Sequence, residues 1–334
     1  MASPSQQEFA ALARQVRESG LLTRRPLYYA VKITATIGAL VGLAFAAVVV
    51  GDQWANLALA VGIAFVLAQL GFIGHDAGHR QICTDRWGND LIGLIHANLL
   101  TGFSYHWWLS KHNRHHAHTN RQGRDPDVAP GALVYAPEQV TPRGRFGRGF
   151  ARVQAFAVVP LLLAEALHLH GVSVAYLARR RHPVEMLLLA VHGAVFFAGP
   201  FLILSPVRAV VFVAVLQMVL GLYLGGAFIT NHVGMPTFAE DDDLGFLRRQ
   251  VVTSRNLAPT PAVSFLFGGL DTQIEHHLFP TMPRPNLRRA RQLVRPFCAE
   301  HQIAYAEPPV GRAYLDVLKH LHVAGAGRTV PVVH

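Results

Sequence analysis

An all-α integral membrane protein is what this 334-residue sequence predicts: four transmembrane helices in two hairpins, with a helical cytoplasmic cap that holds a di-metal site. Three observations carry that expectation. Hydrophobic residues make up 51% of the chain and charged residues 15%, whereas a soluble protein carries about a quarter charged. Four apolar runs fall in two closely spaced pairs, each run long enough to cross a hydrocarbon core of roughly 30 Å. Imidazoles gather at helical spacing in three places outside those runs.

Residues 1–26 are polar and mixed in charge, without the apolar core of a cleaved secretory signal, so the first span is a retained anchor. Phe9, Leu12, Val16 and Leu21 recur at near-helical spacing and predict a short amphipathic helix at the membrane surface. The first hairpin covers 28–74: one run from Tyr28 to Val50, interrupted only by Lys32, then the turn Gly51-Asp52-Gln53-Trp54 and a second run from Leu57 to Gly74. Residues 75–184 form a cytoplasmic region. The second hairpin, 185–230, joins Glu185–Leu204 to Val207–Thr230 around Ser205-Pro206, and 231–334 returns to the cytoplasm. Two further apolar stretches are not counted as spans. Leu91–Phe103 is too short and contains His96 and Asn98, so it lies along the interface or plugs between spans. Val153–Leu169 is long enough but carries Pro160, Glu165 and His168, with His170 beside it, and is placed on the surface. No repeat or low-complexity linker divides the chain, which reads as one domain, 1–334.

Of the 30 basic residues only Arg208 lies in either short hairpin turn. The positive-inside rule therefore puts both termini and the central region in the cytoplasm. That segregation accounts for the net charge of +10 without a nucleic-acid partner. Three of the basic residues are lysine, an arginine bias associated with GC-rich bacterial genomes, so a bacterial cytoplasmic membrane is expected. Cys83 and Cys298 stand far apart in no metal-like spacing, which excludes a disulfide framework or a thiolate site.

In Lys111-His112-Asn113-Arg114-His115-His116 the imidazoles stand at i, i+3 and i+4 and share one helical face. Gln273-Ile274-Glu275-His276-His277 repeats the geometry with an amide first, and Gly74-His75-Asp76-Ala77-Gly78-His79 adds a pair at i, i+4. Adjacent residues such as His115 and His116 point about 100° apart, so each pair addresses two ions. Imidazole alone does not name the metal, but seven such groups exceed what one zinc site uses. The single Glu-x-x-His match, Glu165 to His168, is no soluble-type di-iron pair. Asp76 stands where a metalloprotease needs its general-base Glu.

These three motifs, extended through Ala117-His118-Thr119-Asn120 and Leu278-Phe279-Pro280, resemble the histidine boxes of membrane fatty acid desaturases, and the opening Gln273 is similar to the front-end and acyl-lipid branch. The resemblance runs from about Pro26 to Leu293. It implies two non-haem irons that activate O2 with electrons from a donor and desaturate an acyl chain on CoA, a carrier protein or a lipid. It places His75, His79, His112, His115, His116, His276 and His277 on metal, with one more histidine after the last span, where His232 stands. Gln273, Asn231, Asp76 and His118 are further candidates for metal or outer-shell contact, and Asp125, Asp127, Asp271 and Glu275 for holding the imidazoles. Many relatives carry a fused haem donor; the residues before the first span are too few for one, so a separate donor such as ferredoxin with its reductase is expected. Trp107 and Trp108 are expected to be interfacial anchors, with a channel-lining role as the alternative. His96, His106, His168, His170, His182, His192, His301, His320, His322 and His334 are expected to be ordinary packing or surface residues.

Two other functions fit less well. A hydroxylase on the same scaffold uses the same ligands and differs only in product. A metal transporter or sensor needs ionisable residues inside its spans, and Ile33–Val50, Leu57–Ile73 and Val210–Ile229 contain no charge.

Overall fold

The computed structural model describes residues 4–242 and 244–328; His334 lies outside them. Among the described residues, regular structure is helical, with two isolated bridges, Arg121 to Phe238 and Arg255 to Ala306. The chain divides into two compact units. One, here the span unit, comprises Arg24–Ser110 and Val159–Gly226; the other, the imidazole unit, comprises Met1–Thr23, Lys111–Val158 and Ala227–His334.

In the span unit, α2 (Pro26–Val50) and α3 (Asn56–Gly78) form the first hairpin. Asn56 closes its turn by donating to the Gly51 carbonyl at 2.6 Å. The Asp52 carboxylate accepts from Ser205 N at 2.8 Å and Arg208 Nη1 at 2.6 Å, so the turns of both hairpins meet. The second hairpin is α7 (Pro183–Gly193), continued by a π turn Ala194–Ala198 and a 3-10 turn Gly199–Leu202, and then α8 (Pro206–His232). Large apolar side chains point outward, Phe45 69% exposed and Leu202 90%, the arrangement that lipid rather than water stabilises. An apolar cavity of about 670 Å³ is lined by Leu40, Ile63, Leu99, Phe196 and Leu216, with Asn56 as its polar residue.

α4 (Arg86–Leu94) runs on into a π-helical turn, Ile95–Thr101, which packs against α3 and α7. This is the short stretch expected to plug between spans. His96, Asn98 and Thr101 are buried in it. Its terminal carbonyls are satisfied by imidazoles: His192 Nδ1 donates to Leu99 O at 3.1 Å and His170 Nδ1 to Gly102 O at 2.8 Å. Gly102 ends the turn at φ +77, and a Cβ there would stand 2.4 Å from the His192 ring.

α3 continues through box one to Gly78, the helix that the i, i+4 spacing of His75 and His79 expects. Val153–Leu169 is part of one 36-residue helix, α6 (Arg145–Arg180), which keeps Pro160 on an exposed side. Among the described residues, five helices are long and apolar enough to cross a membrane by length and composition.

In the imidazole unit, α1 (Pro4–Glu18) packs on α9 (Phe246–Val252) and α12 (Arg284–Glu300). Its Leu12 and Val16, expected to face a membrane surface, are fully buried in a protein core with Leu247, Val251, Ile274 and Leu287. That core seats box three. α13 (Val310–Gly325) meets the start of α6 so closely that a Cβ on Gly325 would collide with the Ala151 carbonyl.

Candidate metal centre

Box two lies on α5 (Tyr105–His118) and box three on α11 (Gln273–Leu278). Within the imidazole unit, α5, the end of α8 and α11 bring one nitrogen each of His115, His232 and His277 within 4.8 Å of one another. Around them His116 stacks on His277 with ring centroids 4.1 Å apart, and His276 lies 4.9 Å from His116 and 6.5 Å from His112. His112 Nε2 and His116 Nε2 are 3.0 Å apart.

The outward nitrogens of the central three are committed. His115 Nδ1 donates to Asp125 at 2.9 Å, His232 Nδ1 to the Thr253 carbonyl at 3.0 Å and His277 Nδ1 to Gln250 Oε1 at 2.9 Å. The Gln250 amide is itself oriented, because its Nε2 donates to His116 O at 2.7 Å while its Oε1 also accepts from Thr119. With the Nδ1 atoms protonated, the Nε2 lone pairs turn inward, and those of His115 and His232 face each other at 3.4 Å. Facing lone pairs repel unless a cation, proton or metal, stands between them. Fixing one imidazole nitrogen by a hydrogen bond is how proteins aim the other at a metal, so this donor set fits one. Burial opposes a charge on His115, but Asp127 and Asp125 outweigh it and raise its pKa; the same field favours a metal cation.

Box one is in the span unit. His75 and His79 stand on one face with centroids 4.7 Å apart, and Trp108 packs against both, at 5.4 and 5.9 Å. Gly78 makes room, since a Cβ would stand 2.3 Å from the Trp108 ring. Trp108 is therefore packing for box one rather than an interfacial anchor. Asp76 lies 3.4 Å from His75 Nδ1 and accepts from Tyr29 OH at 3.1 Å.

The pattern of the fatty acid desaturase family matches residues 52–309, and so covers both units. The chain belongs to that family. It is 29% identical to the Delta(6)-fatty-acid desaturase of Caenorhabditis elegans over 320 residues, covering 90% of this chain and 70% of that protein. It is 29% identical to the Delta(8)-fatty-acid desaturase of Euglena gracilis, covering 96% and 79%, and 31% identical to the Delta(5) fatty acid desaturase of C. elegans, covering 89% and 69%. This is thus a fatty acyl desaturase, an oxidoreductase built on apolar helices. These relatives are eukaryotic and lend no support to the bacterial source expected from the arginine bias.

The other candidates take distinct places in the desaturase. Gln273 Nε2 donates to His232 Nε2 at 2.9 Å, facing the cluster, and its Oε1 has no hydrogen-bond partner among the described residues. Asn231 is instead committed to backbone, donating to Leu270 O at 2.8 Å. His118 joins no imidazole group among the described residues. Of the acids, Asp125 holds a histidine and Asp127 lies 3.4 Å from the same ring. Asp271 accepts from Ser264 at 2.5 Å. Glu275 accepts from Asn256 and Tyr305, each at 2.8 Å, and burial pushes its pKa up to about 7. Gln250 and Thr253 were not expected. The one trace of Gln250 in the sequence is a polar residue interrupting the stripe Leu247, Gln250, Val251 at i, i+3, i+4.

Proposed function

We propose that this desaturase is a di-iron enzyme whose ligands are His75, His79, His112, His115, His116, His232, His276 and His277. The observation that carries the reading is the convergence of His115, His232 and His277 with each Nδ1 anchored. Irons bound by such a set supply O2 activation, using two delivered electrons, and the removal of two hydrogens from adjacent methylenes. With two protons from solvent, the products are an alkene and two waters. The chain's own residues aim and hold the imidazoles: Asp125, the Thr253 carbonyl and Gln250 fix the Nδ1 protons, and Trp108 fixes the box-one rings. Gln273 orients His232 or completes the coordination through its amide oxygen.

The acyl chain is carried on CoA, a carrier protein or a lipid. Its new double bond lies toward the carboxyl end, as the names of the Delta(5), Delta(6) and Delta(8) relatives suggest. Electrons come from a separate carrier such as ferredoxin with its reductase. Four spans cross the membrane, with both termini cytoplasmic. α6 is not counted as a crossing, although its residues from Val159 on belong to the span unit, and charge segregation supports this, since a fifth crossing would place basic loops on both sides.

The test is expression of His232→Ala and His192→Ala variants in a host whose fatty acids are profiled by mass spectrometry, with iron measured in purified protein. His232→Ala is expected to abolish the new double bond and lower bound iron with membrane insertion intact. His192→Ala is expected to leave iron unchanged, and full iron and activity in His232→Ala would remove it from the ligand set. Hydroxylated product would move the enzyme to oxygen insertion.

A further inference from the structure

We propose that His106, His182 and Glu185 form a further cation site, sharing no residue with the boxes, that takes one divalent transition ion of the zinc class. All three belong to the span unit. His106 is in the first turn of α5, His182 in the break between Arg180 of α6 and Pro183 of α7, and Glu185 in the first turn of α7. One ligand atom from each lies within 4.8 Å of the others. Nitrogens and oxygens bound to zinc at about 2.0–2.2 Å stand roughly 3.3 Å apart around a tetrahedron. The site thus needs side-chain adjustments of about 1 Å and no backbone movement.

The carboxylate is built for the role. Glu185 is 1% exposed, yet its Oε2 is tied to the scaffold, accepting from Asn98 Nδ2 at 2.9 Å, Ser104 Oγ at 2.8 Å and His106 N at 3.4 Å. Its Oε1 is turned to His106 Nδ1 at 2.6 Å. One oxygen held and one presented is the pattern that orients a metal-binding carboxylate. The His106 and His182 rings are parallel, 2° apart with centroids at 5.1 Å, and Tyr176 stacks on His182 at 6.1 Å. The His106 side chain is 47% exposed, so water reaches the open position. Two imidazoles, one carboxylate and a water make a three-ligand zinc donor set. An ion there ties the link between α6 and α7 to the first turn of α5, the helix that continues into box two, and makes the entry to that helix more rigid.

The purified holoenzyme, with its resident metal in place, is equilibrated with stepwise equimolar Zn2+ or Co2+, desalted and assayed by elemental analysis beside the double variant His106→Ala/His182→Ala. Wild type is expected to retain one more ion per chain than the variant and to show cobalt d–d absorption that the variant lacks. His182→Ala alone leaves the His106–Glu185 hydrogen bond in place and is expected to lose the same ion, which covers a misfolded double variant. The readout is a difference between chains with identical boxes, so it stands whether or not the boxes hold iron. Equal uptake by wild type and variants, or none by wild type, overturns the site and leaves Glu185 a hydrogen-bonded clasp on α5.

Discussion

Asp125→Asn probes how much of the metal affinity resides in the groups that hold the imidazoles. Asp125 is 1% exposed. Its carboxylate receives His115 Nδ1 at 2.9 and 3.1 Å, Asn120 N at 2.8 Å and Asp127 N at 2.9 Å. An asparagine of nearly the same volume keeps one acceptor oxygen but turns an NH2 toward one of these donors. At least one buried N–H then loses its acceptor, at about 1–3 kcal/mol, and His115 loses the negative charge that favours a cation on its Nε2. Removing an outer-shell partner of a ligating histidine typically costs 10–100-fold in metal affinity, about 1.4–2.8 kcal/mol. The assay is iron retained by purified protein after equilibration with graded chelator. The half-loss point of Asp125→Asn is expected about 10–100-fold lower in chelator than wild type. Asp127→Asn, whose carboxylate pairs with Lys111 and is 34% exposed, should shift it less. A wild-type midpoint for Asp125→Asn refutes the reasoning.

Further outcomes follow from other parts of the fold. Tags at either terminus should be cytoplasmic and one between Gly51 and Trp54 external, while tags near Arg145 and Arg181 should report the same side; opposite sides would make α6 a span. Gly102→Ala places a Cβ against His192 and His170 at a positive φ and should destabilise the protein by about 1–3 kcal/mol, read as a lower melting temperature in detergent; no change would argue against the imidazole-held turn. Maleimide at pH 8 should label Cys83 and spare Cys298 until denaturation. The reactive form is the thiolate, and burial pushes Cys298 up to about 12, so it stays protonated as pH rises through 8; equal labelling would contradict that burial.

The box histidines were legible because a helical ligand face is encoded locally: His112, His115 and His116 lie within five residues, and their spacing alone puts them together. Of the partners that aim them, Asp125 was legible because it lies ten residues from His115, whereas Gln250 was not, since Thr119 and Gln250 are 131 positions apart and only the fold joins them. His232 has no motif and was legible only through the family's order of elements. Val153–Leu169 carries Pro160 within one continuous helix, because a proline on an exposed side forfeits one backbone bond without forcing the helix to end. The amphipathic pattern of α1 was read correctly as a helix, but periodicity does not say whether lipid or protein covers the apolar stripe. The His106, His182 and Glu185 group joins residues from two helices and the link between α6 and α7, and no spacing in the sequence announces it.

Metal content of demonstrably active protein bears most directly on the di-iron centre. Elemental analysis with Mössbauer spectroscopy on 57Fe-grown material, in preparations shown to desaturate with a reduced carrier present, should give about two irons per chain, since the boxes offer more imidazoles than one ion uses. One zinc and no iron in active protein would contradict the account.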